Sequence, residues 1–238
     1  MRACALRQQY GAKPVLAGID LAVYVGEVVV ILGENGAGKT TLLRALAGDL
    51  ALDAGEVHIA GVPLASAAET ARKSMIYVAQ HPPMAPLATL REHAAALIAF
   101  RHLDPHSAPT QLAELAATLH LGAAIDLPIR SLSGGMIHKA ALVLAFLANT
   151  PLILLDEPHA GLDVRSALAL RALIQARRAT GTAFVLASHL AEATLALADR
   201  AIVLRAGQVA RTFAGSELAD FAGDARRFEQ EVLAAMAG

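Results

Sequence analysis

The chain has 238 residues, with 20 Lys+Arg against 21 Asp+Glu and a formal net charge of −1, a length that suits one large domain or a domain with an inserted subdomain. The charge balance excludes both a basic nucleic-acid footprint and an acidic solvating tail. Hydrophobic residues make up 55%, yet the longest uninterrupted apolar run, Ala140 to Ala148, is well short of the roughly 18–20 residues that cross a bilayer. The first residues, MRACALRQQYGAKP, hold no long apolar stretch with a small-residue cleavage site, so a cytosolic address is expected. The lone Cys4 can form no internal disulfide, which agrees with a reducing compartment.

Along the chain, Val15 to Val25 alternates loosely, and Gly26 leads into Glu27–Leu32, a β-branched run of the kind that forms a buried strand. Thr40 to Ala47 reads as a helix stopped by Gly48, and Glu56 to Ile59 as a strand before a Gly61-Val62-Pro63 turn. Met75–Ala79 is strand-like. From His81 to about Ser131 the texture changes: Pro82, Pro83 and Pro86 stiffen a loop, and Ala- and Leu-rich stretches at helical spacing follow, broken at Asp104-Pro105 and Pro128. A helix over about Gly134–Leu147, a strand over Leu152–Leu155, a helix over about Val164–Ala179, a strand over Ala183–Ala187, a short helix and a strand over Ala201–Leu204 complete the alternation. Ser216 to Ala237 places Phe221, Phe228, Val232, Leu233 and Met236 at helical spacing, as in a terminal packing helix. Such β/α alternation predicts a mainly parallel sheet covered by helices.

Gly33-Glu34-Asn35-Gly36-Ala37-Gly38-Lys39-Thr40 fits G-x-x-x-x-G-K-[ST] and lies between a strand and a helix, as a phosphate-binding loop must. Its glycines let the backbone curl so that consecutive N–H groups face phosphate oxygens, and the helix that begins there adds the positive end of its dipole. Lys39 supplies a charge for the β- and γ-phosphates, Thr40 a hydroxyl for Mg²⁺, and Thr41 can reach the α-phosphate. Asp156-Glu157-Pro158 ends the strand that starts at Leu152, at the strand edge where open α/β sheets bind ligands. There Asp156 suits Mg²⁺ and Glu157 suits the water that attacks the γ-phosphate. His189 follows the next strand onto the same edge, and Gln80 follows the strand before, placed to sense Mg²⁺ or that water. Ser133-Gly134-Gly135 at the start of a helix forms a second anion-binding terminus. His102 and His106 share a metal-like spacing, but Pro105 lies between them and no third ligand is evident.

With Leu132-Ser133-Gly134-Gly135-Met136 added, the sequence resembles the ATP-binding cassette (ABC) ATPases over nearly its whole length. The resemblance implies an α/β fold of P-loop NTPase type: a mainly parallel core sheet, an antiparallel β subdomain and an inserted helical subdomain. It places the core at 1–80 and 150–215, the helical subdomain with the signature motif at about 81–149, and a C-terminal helix at 216–238. It makes Tyr10 the adenine-stacking aromatic, Gly33–Thr41 the Walker A loop, Gln80 the Q-loop residue, Asp156 and Glu157 the end of Walker B, Gly161-Leu162-Asp163 the D-loop, and His189 the switch histidine. It also implies that Ser133, Gly135 and Asp163 sit at the interface with a second cassette, so that two chains close around two ATP molecules. Met136 stands where Gln is common, His138-Lys139 where Gln-Arg is usual, and His159 where Thr or Phe is usual.

These readings predict an ATP-hydrolysing subunit at the cytoplasmic face of the inner membrane. It would serve a separate transmembrane permease, pair with a second ABC ATPase subunit and bind no nucleic acid. The apolar, Pro-stiffened 81–87 loop, with Met84 and Leu87, is the candidate docking segment. Met136 and the absence of an appended C-terminal domain tilt the expectation toward an exporter, including the branch serving haem or cytochrome maturation. The alternative is a soluble ABC ATPase scaffold such as an iron–sulfur assembly ATPase; a kinase or GTPase sharing only the phosphate loop is set against by Leu132–Met136.

Overall fold

The computed structural model describes residues 1–191 and 195–237. The short helix expected after His189 falls partly on 192–194, outside the described residues. Among the described residues, ten strands form two sheets. The smaller joins β1 (Arg2–Tyr10), β2 (Lys13–Ala22), β4 (Ala54–Ile59) and β5 (Val62–Pro63) in the order β2-β1-β4-β5, all antiparallel. The larger joins β3 (Val28–Gly33), β6 (Met75–Val78), β7 (Leu152–Asp156), β8 (Ala183–Ser188), β9 (Arg200–Arg205) and β10 (Gln208–Ala214) in the order β10-β9-β3-β8-β7-β6. It is parallel except at its β9-β10 edge.

β3 is buried at every position, and its period-two alternation feeds two cores. Val28, Val30 and Leu32 face a core shared with the helices α3 (Leu90–Arg101), α4 (Ala108–Thr118), α5 (Gly134–Leu147) and α6 (Val164–Ala179). Val29 and Ile31 face a second core, filled by α1 (Lys39–Ala47) and the inner face of the small sheet. The register then fixes the site. Leu32 pairs with Ser188 and Asp156 with Ala187, while Val78 pairs with Leu155. The chain leaving β3, β7, β8 and β6 therefore emerges on one edge, carrying Gly33, Glu157, His189 and Gln80 together.

Four features depart from the sequence expectations. β1 and β10 arise where no strand was expected: β1 carries register shifts at Ala3/Leu6, Leu6/Arg7 and Gln8/Gln9 that erase its alternation, and β10 buries only Phe213. Val62-Pro63, read as a turn, is an edge strand, where a proline lacking its N–H is tolerated. α2 (Ala68–Lys73) also forms. The terminal 216–237 stretch is two helices, α7 (Gly215–Ala219) and α8 (Ala225–Ala237). The break has a cause: Gly223 adopts φ +86, and the Asp224 carboxylate then accepts the Arg227 N–H at 3.0 Å, capping a new helix. Phe221, Phe228 and Val232 are buried, but Leu233 is 55% exposed.

Candidate active site

An open cleft of about 560 Å³ lies on the strand-end edge, lined by Tyr10, Lys13, Val15, Asn35, Gly36, Gly38, Lys39, Thr40, Thr41, Gln80, Glu157 and His189. The phosphate loop is shaped by backbone demands that only glycine meets. Gly38 takes φ +105, and a β-carbon there would meet the Val15 carbonyl oxygen at 2.7 Å. Gly36 takes φ +85 with open space beside it. Gly38 caps α1 without a side chain, and no acidic residue sits in the first turn. The N-terminal N–H groups and the positive dipole end are therefore presented to the cleft unneutralised.

Lys39 is buried, and its ammonium bridges the loop, donating to Gly33 O at 2.7 Å and Glu34 O at 3.1 Å. Burial pulls its pKa down, opposed by the carboxylates of Glu157 and Asp156. Ala37 closes the turn through its N–H to Glu34 O.

Asp156 is 1% exposed and lies under the cleft. Tyr77 donates its hydroxyl to Asp156 Oδ2 at 3.4 Å, while Oδ1 is buried with no hydrogen-bond partner. Burial pushes the carboxyl's pKa up; the Thr40 hydroxyl pulls it down, the Glu157 charge adds to the rise, and Tyr77 and Lys39 oppose it. Among the described residues, no group of three or more His, Cys, Asp or Glu forms a metal cage. One orphaned carboxylate oxygen beside a threonine hydroxyl fits a hard divalent cation that draws its other oxygens from phosphate and water. His102 and His106 form no metal site: His102 caps α3 in a left-handed conformation, and His106 lies in the following turn.

Glu157 is 7% exposed and takes φ +49. Its Oε2 lies 2.9 Å from His189 Nδ1, so the imidazole orients the carboxylate at the mouth of the cleft. Ser133, Gly134, Gly135 and Asp163 do not line this cleft. They gather separately, where α5 starts. Ser133 caps that helix by accepting the Met136 N–H at 3.3 Å, leaving Ser133 and Gly134 exposed. Asp163 caps α6 through Ser166 and accepts from Lys139 Nζ at 2.6 Å. Behind them, burial pushes the His138 and His159 imidazoles below their usual pKa.

Sequence reasoning missed Lys13, Val15 and Tyr77. Lys13 pairs directly with Tyr10 across the β1-β2 hairpin. The available signal was the tight Tyr10-Gly11-Ala12-Lys13 spacing, with Gly11 at φ +62.

The fold and cleft define a P-loop ATPase, with the phosphate loop, Gln80, Glu157 and His189 on the strand-end edge. A model of the ABC transporter family matches residues 16–160, and the chain belongs to that family of ATP-binding ATPase cassettes. It is 32% identical over 216 residues to the sn-glycerol-3-phosphate import ATP-binding protein UgpC of Cereibacter sphaeroides, covering 90% of this chain and 62% of that protein's length. It is 31% identical over 225 residues to the lipopolysaccharide export system ATP-binding protein LptB of Acidithiobacillus ferridurans, covering 92% of each. The solved structure of an ATP-binding subunit of an ABC transporter superposes at TM-score 0.90 with 26% identity, over 100% of this chain and 99% of that one. Among the described residues, no helix is long and apolar enough to cross a membrane.

Proposed function

We propose that this chain is the ATP-hydrolysing subunit of a membrane transporter, working as a pair of cassettes closed head to tail around two ATP molecules at the cytoplasmic face of a separate permease. The observation that carries the reading is the division of the chemistry. The cleft holds a phosphate loop, Glu157 and His189, whereas the Ser133-Gly134-Gly135 terminus faces outward elsewhere, an arrangement that suits a nucleotide held by another copy.

Within one half-site, Tyr10 stacks on adenine and the 33–41 backbone holds the phosphates. Lys39 exchanges its loop carbonyls for β- and γ-phosphate oxygens. Thr40, Asp156 and Gln80 would hold Mg²⁺, which neutralises charge spread over the phosphate oxygens. Glu157, oriented by His189, takes a proton from the attacking water. Residues 81–149 act as the unit that carries the signature terminus, and the exposed Leu87 of the 81–87 loop meets the permease. Met84 instead packs against the core, so the docking contact falls on Leu87.

The named relatives include an import and an export subunit, so they lend no support to the exporter expected from Met136; neither is a scaffold ATPase. The test is co-purification of the tagged chain from mild-detergent membrane extracts. A stoichiometric polytopic protein supports the reading; recovery only in the soluble fraction, alone or with soluble partners, overturns it.

A further inference from the structure

Glu157 sits in the left-handed region, a conformation that a β-carbon makes costly and that persists only where the surroundings over-determine it. Three hydrogen bonds grip this corner. The Glu157 N–H donates to Ala187 O at 2.9 Å, and the Glu157 carbonyl accepts from the Ala160 N–H at 2.9 Å. The third falls on the next carbonyl, where His138 Nε2 lies 3.2 Å from Pro158 O. A carbonyl can only accept, so the proton of this contact is on Nε2.

The first two bonds come from β8 and from the turn itself. His138 comes from α5, the helix whose N-terminus carries Ser133. Its side chain is enclosed, with the residue 3% exposed; Nδ1 is buried without a hydrogen-bond partner, and its polar neighbours besides Pro158 O include the Gln80 backbone and the imidazoles of His81 and His159. One imidazole thus joins the helix that presents the outward terminus, the turn that holds Glu157 and the loop that holds Gln80.

We infer that His138 is a positioning residue for hydrolysis: by holding the Pro158 carbonyl it keeps the strained Glu157 in register with α5. The inference rests on Glu157 acting as the base. His138 lies outside the cleft, so its loss slows turnover and spares nucleotide affinity.

The experiment compares His138→Gln with His138→Met in the purified chain, reading single-turnover ATP hydrolysis, the ATP Kd and the melting temperature, with Glu157→Gln alongside. Gln and Met are similar in length and volume, and only Gln can donate to Pro158 O. The Met variant should hydrolyse about 10- to 100-fold more slowly, since small misplacements of a reacting group cost that much, while its Kd stays within about twofold. The Gln variant should stay within about threefold of the native rate. Equal rates for Met and Gln overturn the inference, as does loss of ATP binding in step with turnover. His138→Leu replaces Met if that variant does not fold. Native hydrolysis by Glu157→Gln overturns the assignment of the base itself, whatever the Met and Gln variants do.

Discussion

Gly135 and Gly161 meet backbone to backbone: a β-carbon on Gly135 would stand 2.4 Å from the Gly161 carbonyl oxygen. The contact joins the first turn of α5 to the loop between β7 and α6, so neither can shift without the other. The neighbouring Gly134, one residue earlier on the same helix, has nothing within 4 Å of a built β-carbon.

The pair makes a sharp mutational contrast. Gly135→Ala forces backbone apart and should destabilise the fold by about 1–3 kcal/mol, the range for overpacking. Gly134→Ala should leave the urea midpoint unchanged or slightly raised, since Ala favours helix over Gly. If the open space before Gly134 belongs to another copy's nucleotide, that variant nonetheless loses ATP turnover. Equal stability of the two variants would contradict the contact.

Glu157→Gln keeps the shape of the corner and removes the proton acceptor. Hydrolysis should fall by about 10²–10⁴-fold, the usual contribution of a general base, with ATP binding retained. The trapped ATP state should then appear as a dimer in light scattering. A monomer at saturating Mg-ATP would sink the proposal of identical paired cassettes.

The legible parts of this site were those written in short, local spacing. The Gly33–Thr40 loop declares itself by its glycines and its strand–helix setting, and Asp156-Glu157 by standing at the end of a continuous apolar strand. β1 was hidden because its bulges break the alternation a strand is read by. Lys13 was hidden with it, since its place in the cleft follows from pairing with Tyr10 across the turn. The His138 contact with Pro158 spans twenty residues of sequence, and no local pattern encodes it; the only trace was an unusual residue in the signature helix.

Asp163 offers a test of the link between α5 and α6. Lys139 first, then the Ser166 N–H and hydroxyl, hold its carboxyl well below the usual carboxylate range. A carboxylate depressed in the folded state stabilises the protein above its unfolded pKa, about 3.9 for Asp, and that contribution is lost as pH falls toward the folded value. Asp163→Asn also leaves the Lys139 ammonium, whose side chain is 9% exposed, without its partner. The variant should therefore show a lower urea midpoint at pH 7, with a gap to the native protein that is constant down to about pH 5 and narrows below about pH 4. A gap that stays constant through pH 3 would mean that the Asp163 charge contributes nothing to stability.

Leu87 is 70% exposed at the end of a loop stiffened by Pro82, Pro83 and Pro86, close in sequence to Gln80 but outside the cleft. An apolar side chain held out by a rigid loop binds a partner at little entropic cost, and a charge at its centre must be desolvated to dock. Leu87→Asp should weaken assembly with the membrane partner by at least about tenfold, since burying an unpaired carboxylate costs well over the 1.4 kcal/mol this requires. Because Leu87 is not among the residues lining the cleft, ATPase activity of the isolated chain should stay at the native level. Unchanged recovery of the polytopic partner with the variant would move the docking surface away from this loop; loss of both assembly and basal turnover would show that the loop serves the catalytic edge rather than a partner.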